Sequence, residues 1–294
     1  MTTLSDNPSP ADWVGWLAER VGDPLAPASY WRRVRDRILK MADVKPGERV
    51  LDLGCGTGLL TFAAADLVGP AGHVIACDPD AACLDHCRAL AQRDAERFGC
   101  IDFLSATAQD LPVESASLDA VVVRSVLTHV VDKAAALRQI FRVLKPGGRF
   151  AAYEPITRRD PFLCDLIGGP GDNPLLRALD AAERALRNDP ADPLMNFDDG
   201  TLAGDLQSAG FAEIDLHRSG HTRRILFDAA ALHELWRVPM VTGRETLYDL
   251  LVRRMPAGDL DAAVEQVNAR LRGQTVPFAQ VVLWISARRP RAGK

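Results

Sequence analysis

Residues that could hold a ligand come early in the chain. The stretch Val50–Leu60 reads VLDLGCGTGLL, an apolar run with Asp52 inside it, followed by Gly54, Gly56 and Gly58 at alternate positions. Glycines between a strand and a helix make a tight turn whose backbone something else can approach closely. The helix that follows would offer unpaired N–H groups at its start. Asp78 ends the next apolar run, HVIACD, 20 residues after Gly58. An acid there can accept hydrogen bonds from both hydroxyls of a ribose. The loop and the acid together describe a nucleoside site at one edge of a sheet.

Positioning them requires alternating strands and helices. RVLDLG, HVIACD, IDFLSA, LDAVVVRSV and RFAAYEPI read as five strands between residues 48 and 156. GLLTFAAADLVG, DAACLDHCRALAQRDAERFG and DKAAALRQIFRVL read as helices between them, stopped by glycine or by KPGG. The strands are continuous apolar runs, as expected when helices cover both faces of a parallel sheet. FAEIDLHRSG and FAQVVLWISARR supply later strands. Two amphipathic helices are expected before residue 45; in the first, Trp13, Trp16, Leu17 and Val21 share a face, and the second lies in YWRRVRDRILKMADV. LLRALDAAERALRN, DDGTLAGDLQSAG and residues 228–272 read as helical.

The glycine spacing is G-x-G-x-G, with Leu59 where a dinucleotide fingerprint has its third glycine, which opposes a nicotinamide oxidoreductase. The string VLDLGCGTG resembles motif I of the class I S-adenosylmethionine (SAM)-dependent methyltransferases. CDPD, ATAQDLP, SLDAVVVRSVLTHV and IFRVLKPGGRF resemble the later blocks of that family, in order, over about 110 residues. The subgroup that this pattern is most similar to is the ubiquinone/menaquinone C-methyltransferase-like enzymes. The resemblance implies a Rossmann-like, doubly wound α/β sheet of seven strands with the last antiparallel, and SAM as cofactor. Gly54, Gly56 and Gly58 would approach the amino-acid part of SAM, and Asp52 would orient the loop or reach the ammonium through water. Asp78 would hold the ribose; Thr107, Ala108 and Gln109 would line the adenine. Arg124 would face the methionine part. Thr107 stands where relatives usually carry an acid or amide, and Arg124 where many carry a smaller polar group.

Methyl transfer needs an aligned nucleophile and exclusion of water, with a base where the acceptor is a hydroxyl, amine or acidic carbon. His129 and Glu154, near strand ends, are the candidate catalytic groups. Tyr30, Trp31, Tyr153 and His221, the last in an expected loop, are candidates for substrate contact; aromatic faces also suit a sulfonium. Packing explains each of these residues as well. Residues 1–45 are expected as an N-terminal helical lid, 46–156 as the SAM-binding core, and 157–294 as completion of the sheet. Substrate-covering insertions are expected at 157–200 and 228–272, whose apolar residues suit a hydrophobic or aromatic small molecule.

The 294 residues carry a net charge of −4, so no basic field points to nucleic acid or an anionic membrane. The paired arginines, such as Arg223–Arg224, are scattered. No leader or membrane span is read, and a cytoplasmic location follows by default. The six cysteines match no zinc spacing, and Cys83 and Cys87 fall with Leu84 and Leu90 on an apolar helix face. The expected partner is a small-molecule acceptor, with no metal; a homodimer is left open. Abundant alanine and arginine point toward natural-product tailoring. An amino-methyltransferase of DNA or protein would show an Asn/Asp-Pro-Pro-Tyr/Phe block where RSVLTHV stands, and a cytosine C5 enzyme a Pro-Cys. A SAM-binding protein with a non-methylating role such as cyclisation would carry the same motifs.

Overall fold

The computed structural model describes residues 10–21, 30–239 and 244–291. Its strands are β1 Arg49–Leu53, β2 His73–Cys77, β3 Ile101–Leu104, β4 Leu118–Arg124, β5 Leu144–Pro155, β6 Ala212–Leu226 and β7 Thr275–Arg288. The helices are α1 Pro10–Val21, α2 Tyr30–Met41, α3 Thr61–Val68, α4 Ala81–Ala91, α5 Ala95–Phe98, α6 Lys133–Val143, α7 Pro174–Arg187, α8 Asp199–Ala209, α9 Ala229–Arg237, α10 Leu247–Val252 and α11 Ala257–Leu271. They form a seven-stranded sheet in the order β3-β2-β1-β4-β5-β7-β6. The pairs among β1 to β5 are parallel, and β7 runs antiparallel to β5.

The strand order reverses direction between β1 and β4. That switch point opens a crevice beyond their C-terminal ends, the place where open α/β sheets take ligands. Every residue of β1 and β2 after the first is buried, as strands covered on both faces require. On α6, Ala136, Leu137, Ile140 and Val143 face the core at helical spacing, and Asp132 caps the helix by accepting the Ala135 N–H at 2.8 Å. Truncating Ile140 to alanine would cost about 2–5 kcal/mol.

The chain divides into two compact units. The sheet unit comprises Val14–Pro155, Phe197–Ser219 and Val282–Lys294. Its core joins Val34, Ile38 and Ala42 to Val50, Val74, Ala120 and Ala151. Thus α2, expected within the N-terminal lid segment, packs as a core helix. The helical unit comprises Met1–Trp13, Ile156–Asn196 and Gly220–Val281. It has its own core, in which Leu176, Leu179 and Leu186 of α7 meet Trp236, Leu251, Leu260 and Val267. Asn173 starts α7 by accepting the Leu175 and Leu176 N–H groups, with Pro174 at the first helical position.

Three local readings change. The helix expected from Asp80 to Gly99 is broken by a 3₁₀ turn over Gln92–Asp94, because Asp94 turns back to cap Arg97 N–H. β5 begins at Leu144 and so includes KPGG, with Gly147 at φ 85° making the bend. His221 lies within strand β6 and not in a loop. The expected strand FAEIDLHRSG thus runs on past Gly220, which has no left-handed φ; an edge strand tolerates an extended glycine.

Candidate functional site

The first turn folds as its glycines dictate. Gly54, Gly56 and Gly58 have φ of 72°, 51° and 87°, a region that disfavours side chains. The reasons for each absent side chain differ. A Cβ on Gly54 would lie 2.2 Å from Val126 Cγ2, and one on Gly58 2.4 Å from Phe62 Cε2. Those two positions are closed by the protein itself. At Gly56 the nearest atom would be Leu17 Cδ2, at 3.5 Å, so the chain leaves room there. The loop is tied to β2 by Gly54 and Cys55, whose N–H groups both donate to Cys77 O at 2.7 and 2.9 Å.

The two acids stand on either side of this loop. Asp52 is buried, and its Oδ2 accepts the Thr61 hydroxyl at 2.6 Å, which fixes the start of α3 against β1. Burial pushes its carboxyl up to about 7, against the lowering effects of the Thr61 bond and the Arg124 charge. Asp78 Oδ2 accepts Gly56 N–H and Oδ1 accepts Asp80 N–H, each at 2.9 Å. Burial raises its pKa, opposed by those two bonds. A carboxylate has about four acceptor positions, so two remain for a ligand.

At the third strand's end, Thr107 and Asp110 form an isolated bridge; Thr107 and Gln109 are exposed and Ala108 is buried. This leaves two polar side chains open beyond β3.

Beyond β4 and β5 lies an aromatic cluster built around a cation. Arg124 pairs in register with Tyr153, and Tyr153 with Trp284. The Arg124 guanidinium lies 4.9 Å from the Trp31 ring centroid. Among the described residues it has no hydrogen bond or ion pair within normal distance. Burial lowers its pKa, and the Asp52 field opposes that most. Tyr30 and Tyr153 share a hydroxyl–hydroxyl bond of 3.0 Å, and Trp31 stands edge-on to both rings. Tyr153 also meets Trp284 edge-on at 4.9 Å and is buried in the core of the sheet unit, so the expectation that it contacts substrate is replaced by packing.

The two candidate catalytic groups fare differently. Glu154 is completely buried, with Oε1 accepting Val126 and Leu127 N–H at 3.0 and 3.1 Å and Oε2 accepting Thr128 N–H at 3.0 Å. Its carboxyl has no surface open to an acceptor, so the expectation of a base is replaced by a structural attachment. Burial raises its pKa to about 7 despite those three bonds. His129 is half-buried at the end of the 3₁₀ turn that Glu154 holds. His221 is half-buried on the part of β6 that belongs to the helical unit.

Residues missed in the sequence have readable signals in retrospect. Thr61 is the polar residue among the otherwise apolar buried positions of α3, and Leu17, expected only on the apolar face of α1, supplies the nearest atom to the open side of Gly56. Trp284 sits inside the apolar run of the last strand. The cysteines are all free, and Cys83 and Cys87 are buried in the α4 face, as their spacing predicts.

The family model for a methyltransferase domain matches residues 51–152. A ubiquinone/menaquinone biosynthesis C-methyltransferase, UbiE, of Vibrio vulnificus is 35% identical over 189 residues, 62% of this chain and 69% of the relative. UbiE of Ectopseudomonas mendocina is 32% identical over 195 residues, 64% and 73%. The chain belongs to the class I SAM-dependent methyltransferases. Within that family it falls among relatives of the UbiE type, and its cofactor is SAM.

Solved structures agree on the fold. YcgJ of Bacillus subtilis matches with a TM-score of 0.55 at 19% identity, covering 89% of this chain and 99% of that one. Phosphoethanolamine N-methyltransferase 2 of Haemonchus contortus, solved with SAM, matches at 0.56 and 15% identity, covering 95% and 57%. The [4+2]-cyclase SpnF matches at 0.53 and 18%, covering 99% and 100%. Among the described residues, no helix is long and apolar enough to cross a membrane.

Proposed function

We infer that this methyltransferase alkylates a small, apolar or aromatic metabolite. The observation that carries the reading is the half-buried pair Tyr30 and Trp31, which meet Tyr153 and Arg124 at the ends of β4 and β5. The rings of Tyr30 and Trp31 can take a flat acceptor ring against them. The UbiE relatives are named for C-methylation in quinone biosynthesis, which makes an electron-rich ring a suitable acceptor class. Tailoring of an aromatic natural product is the form of this reading that we favour.

SAM supplies a methyl group already activated on a sulfonium. The residues fit it: the open side of Gly56, the spare acceptor positions of Asp78, and at Arg124 a cation without an ion-pair partner among the described residues. Asp78 would hold the ribose hydroxyls, Thr107, Ala108 and Gln109 the adenine edge, and Arg124 the methionine carboxylate. Asp52 would orient the glycine loop through Thr61. His129 is the remaining candidate base, held on a fixed turn. The chain's own contribution to the rate is then alignment and exclusion of water, with proton removal at His129 where the acceptor requires it.

The test is incubation with methyl-labelled SAM and a panel of phenols, naphthols and quinols, following S-adenosylhomocysteine and labelled product by mass spectrometry. Transfer to ring compounds supports the reading. Transfer only to amines, polypeptide or nucleic acid, or no S-adenosylhomocysteine with any acceptor, removes it.

A further inference from the structure

The turn after β4 holds a non-glycine residue in the left-handed region: Ser125, at φ 56°. Such a conformation costs about 1–2 kcal/mol and persists only when its surroundings over-determine it. Ser125 N–H is fixed to Tyr153 O at 2.8 Å. The next three N–H groups, on Val126, Leu127 and Thr128, all go to the two oxygens of Glu154. The side chain of Val126 then lies flush against the backbone of Gly54, so close that a Cβ there would overlap it. One carboxylate on β5 therefore sets the strained turn, and the turn sets the first residue of the glycine loop.

We propose that Glu154 is the positioning residue of the SAM site, which it shapes through Val126 and Gly54 without touching the cofactor. The charge of Lys133, on α6, acts on the same carboxylate and opposes the rise in its pKa. Lys133 itself is held by Val130 O at 2.8 Å, so the far end of the turn is anchored separately. The proposal concerns SAM affinity and stands whichever acceptor is methylated.

The experiment compares wild type, Glu154→Gln, Ser125→Gly and the double variant by calorimetric titration with SAM. Glutamine keeps the shape, but it presents an N–H donor to one of the three backbone donors. Glu154→Gln should weaken SAM binding about tenfold, the usual scale for losing a charged acceptor. Adding Ser125→Gly should recover most of that loss, because glycine adopts the left-handed turn without strain. Wild-type affinity in Glu154→Gln with turnover lost would make Glu154 a reacting group and overturn the proposal. A double variant as weak as Glu154→Gln would overturn it too. If Glu154→Gln fails to fold, hydrogen exchange of residues 125–130 in the SAM-free wild-type chain decides. Slow exchange is expected, and fast exchange would refute the held turn.

Discussion

The carboxylate of Asp78 accepts the backbone N–H of Gly56 at 2.9 Å, so the acid at the end of β2 and the glycine loop after β1 are already one unit before any ligand is considered. Asp78 thus shapes the loop, and the proposed ribose contact would use its remaining lone pairs. Asp78→Ala should weaken SAM binding by roughly 10–100-fold, the scale of about 1.5–3 kcal/mol for a hydrogen bond to a charged group. Asp78→Asn keeps one oxygen and should lose less. Calorimetric titration checks this; an Asp78→Ala chain that binds SAM like wild type would refute the ribose assignment.

The three glycines should respond differently to alanine. At Gly54 and Gly58 the new Cβ would collide with Val126 at 2.2 Å and Phe62 at 2.4 Å, on a backbone already left-handed. Overpacking and the strained φ together should cost about 2–4 kcal/mol, seen as a lower melting temperature. Gly56→Ala meets only Leu17, at 3.5 Å, and should lose about 1–2 kcal/mol while remaining folded. Its defect should appear in SAM affinity. A Gly56→Ala chain that melts lower but binds SAM normally would show that the ligand does not approach there.

Most of the sheet was legible because buried parallel strands are written as unbroken apolar runs, and VLDLG, HVIAC and AVVVR have no other reading as a group. The placement of Asp52 and Asp78 beside the glycine loop was legible because a strand–loop–helix unit fixes where such positions lie. What stayed hidden was long-range. Glu154 ends an apolar strand, which looks like an acid presented to an acceptor. Only the fold brings it to three N–H groups 26 to 28 residues earlier in the chain. Likewise nothing local marks Val126 as the reason Gly54 lacks a side chain, or Asp94 as the break in a helix of otherwise helical pattern.

Arg124 should trade stability for binding. Its guanidinium stacks on Trp31, and burial lowers its pKa, so the ligand-free chain carries a cation that its surroundings poorly compensate. Arg124→Met fills similar space without the charge. The ligand-free variant should melt no lower than wild type, while SAM affinity falls about tenfold or more through loss of a partner for the methionine carboxylate. A variant that is strongly destabilised and yet binds SAM like wild type would place Arg124 in the packing and not in the site.

Protonation of Asp52 should be visible in both stability and binding. Its carboxyl is pushed from 3.8 to about 7 by burial. Between those values the folded chain binds more protons than the unfolded chain, so stability falls with rising pH. The contribution of the neutral form is complete below 3.8, declines as pH rises toward 7, and is lost above it. Glu154, also at about 7, adds a decline of the same sign, so Asp52→Asn should flatten the melting-temperature slope without abolishing it. An ammonium-bearing ligand beside Asp52 favours the ionised form, so SAM binding near pH 6.5 should release a fraction of a proton. That release makes the calorimetric heat depend on the ionisation enthalpy of the buffer, and Asp52→Asn should remove most of the dependence. Heats that do not change with buffer in the wild-type chain would separate Asp52 from the cofactor and leave it only the task of holding Thr61.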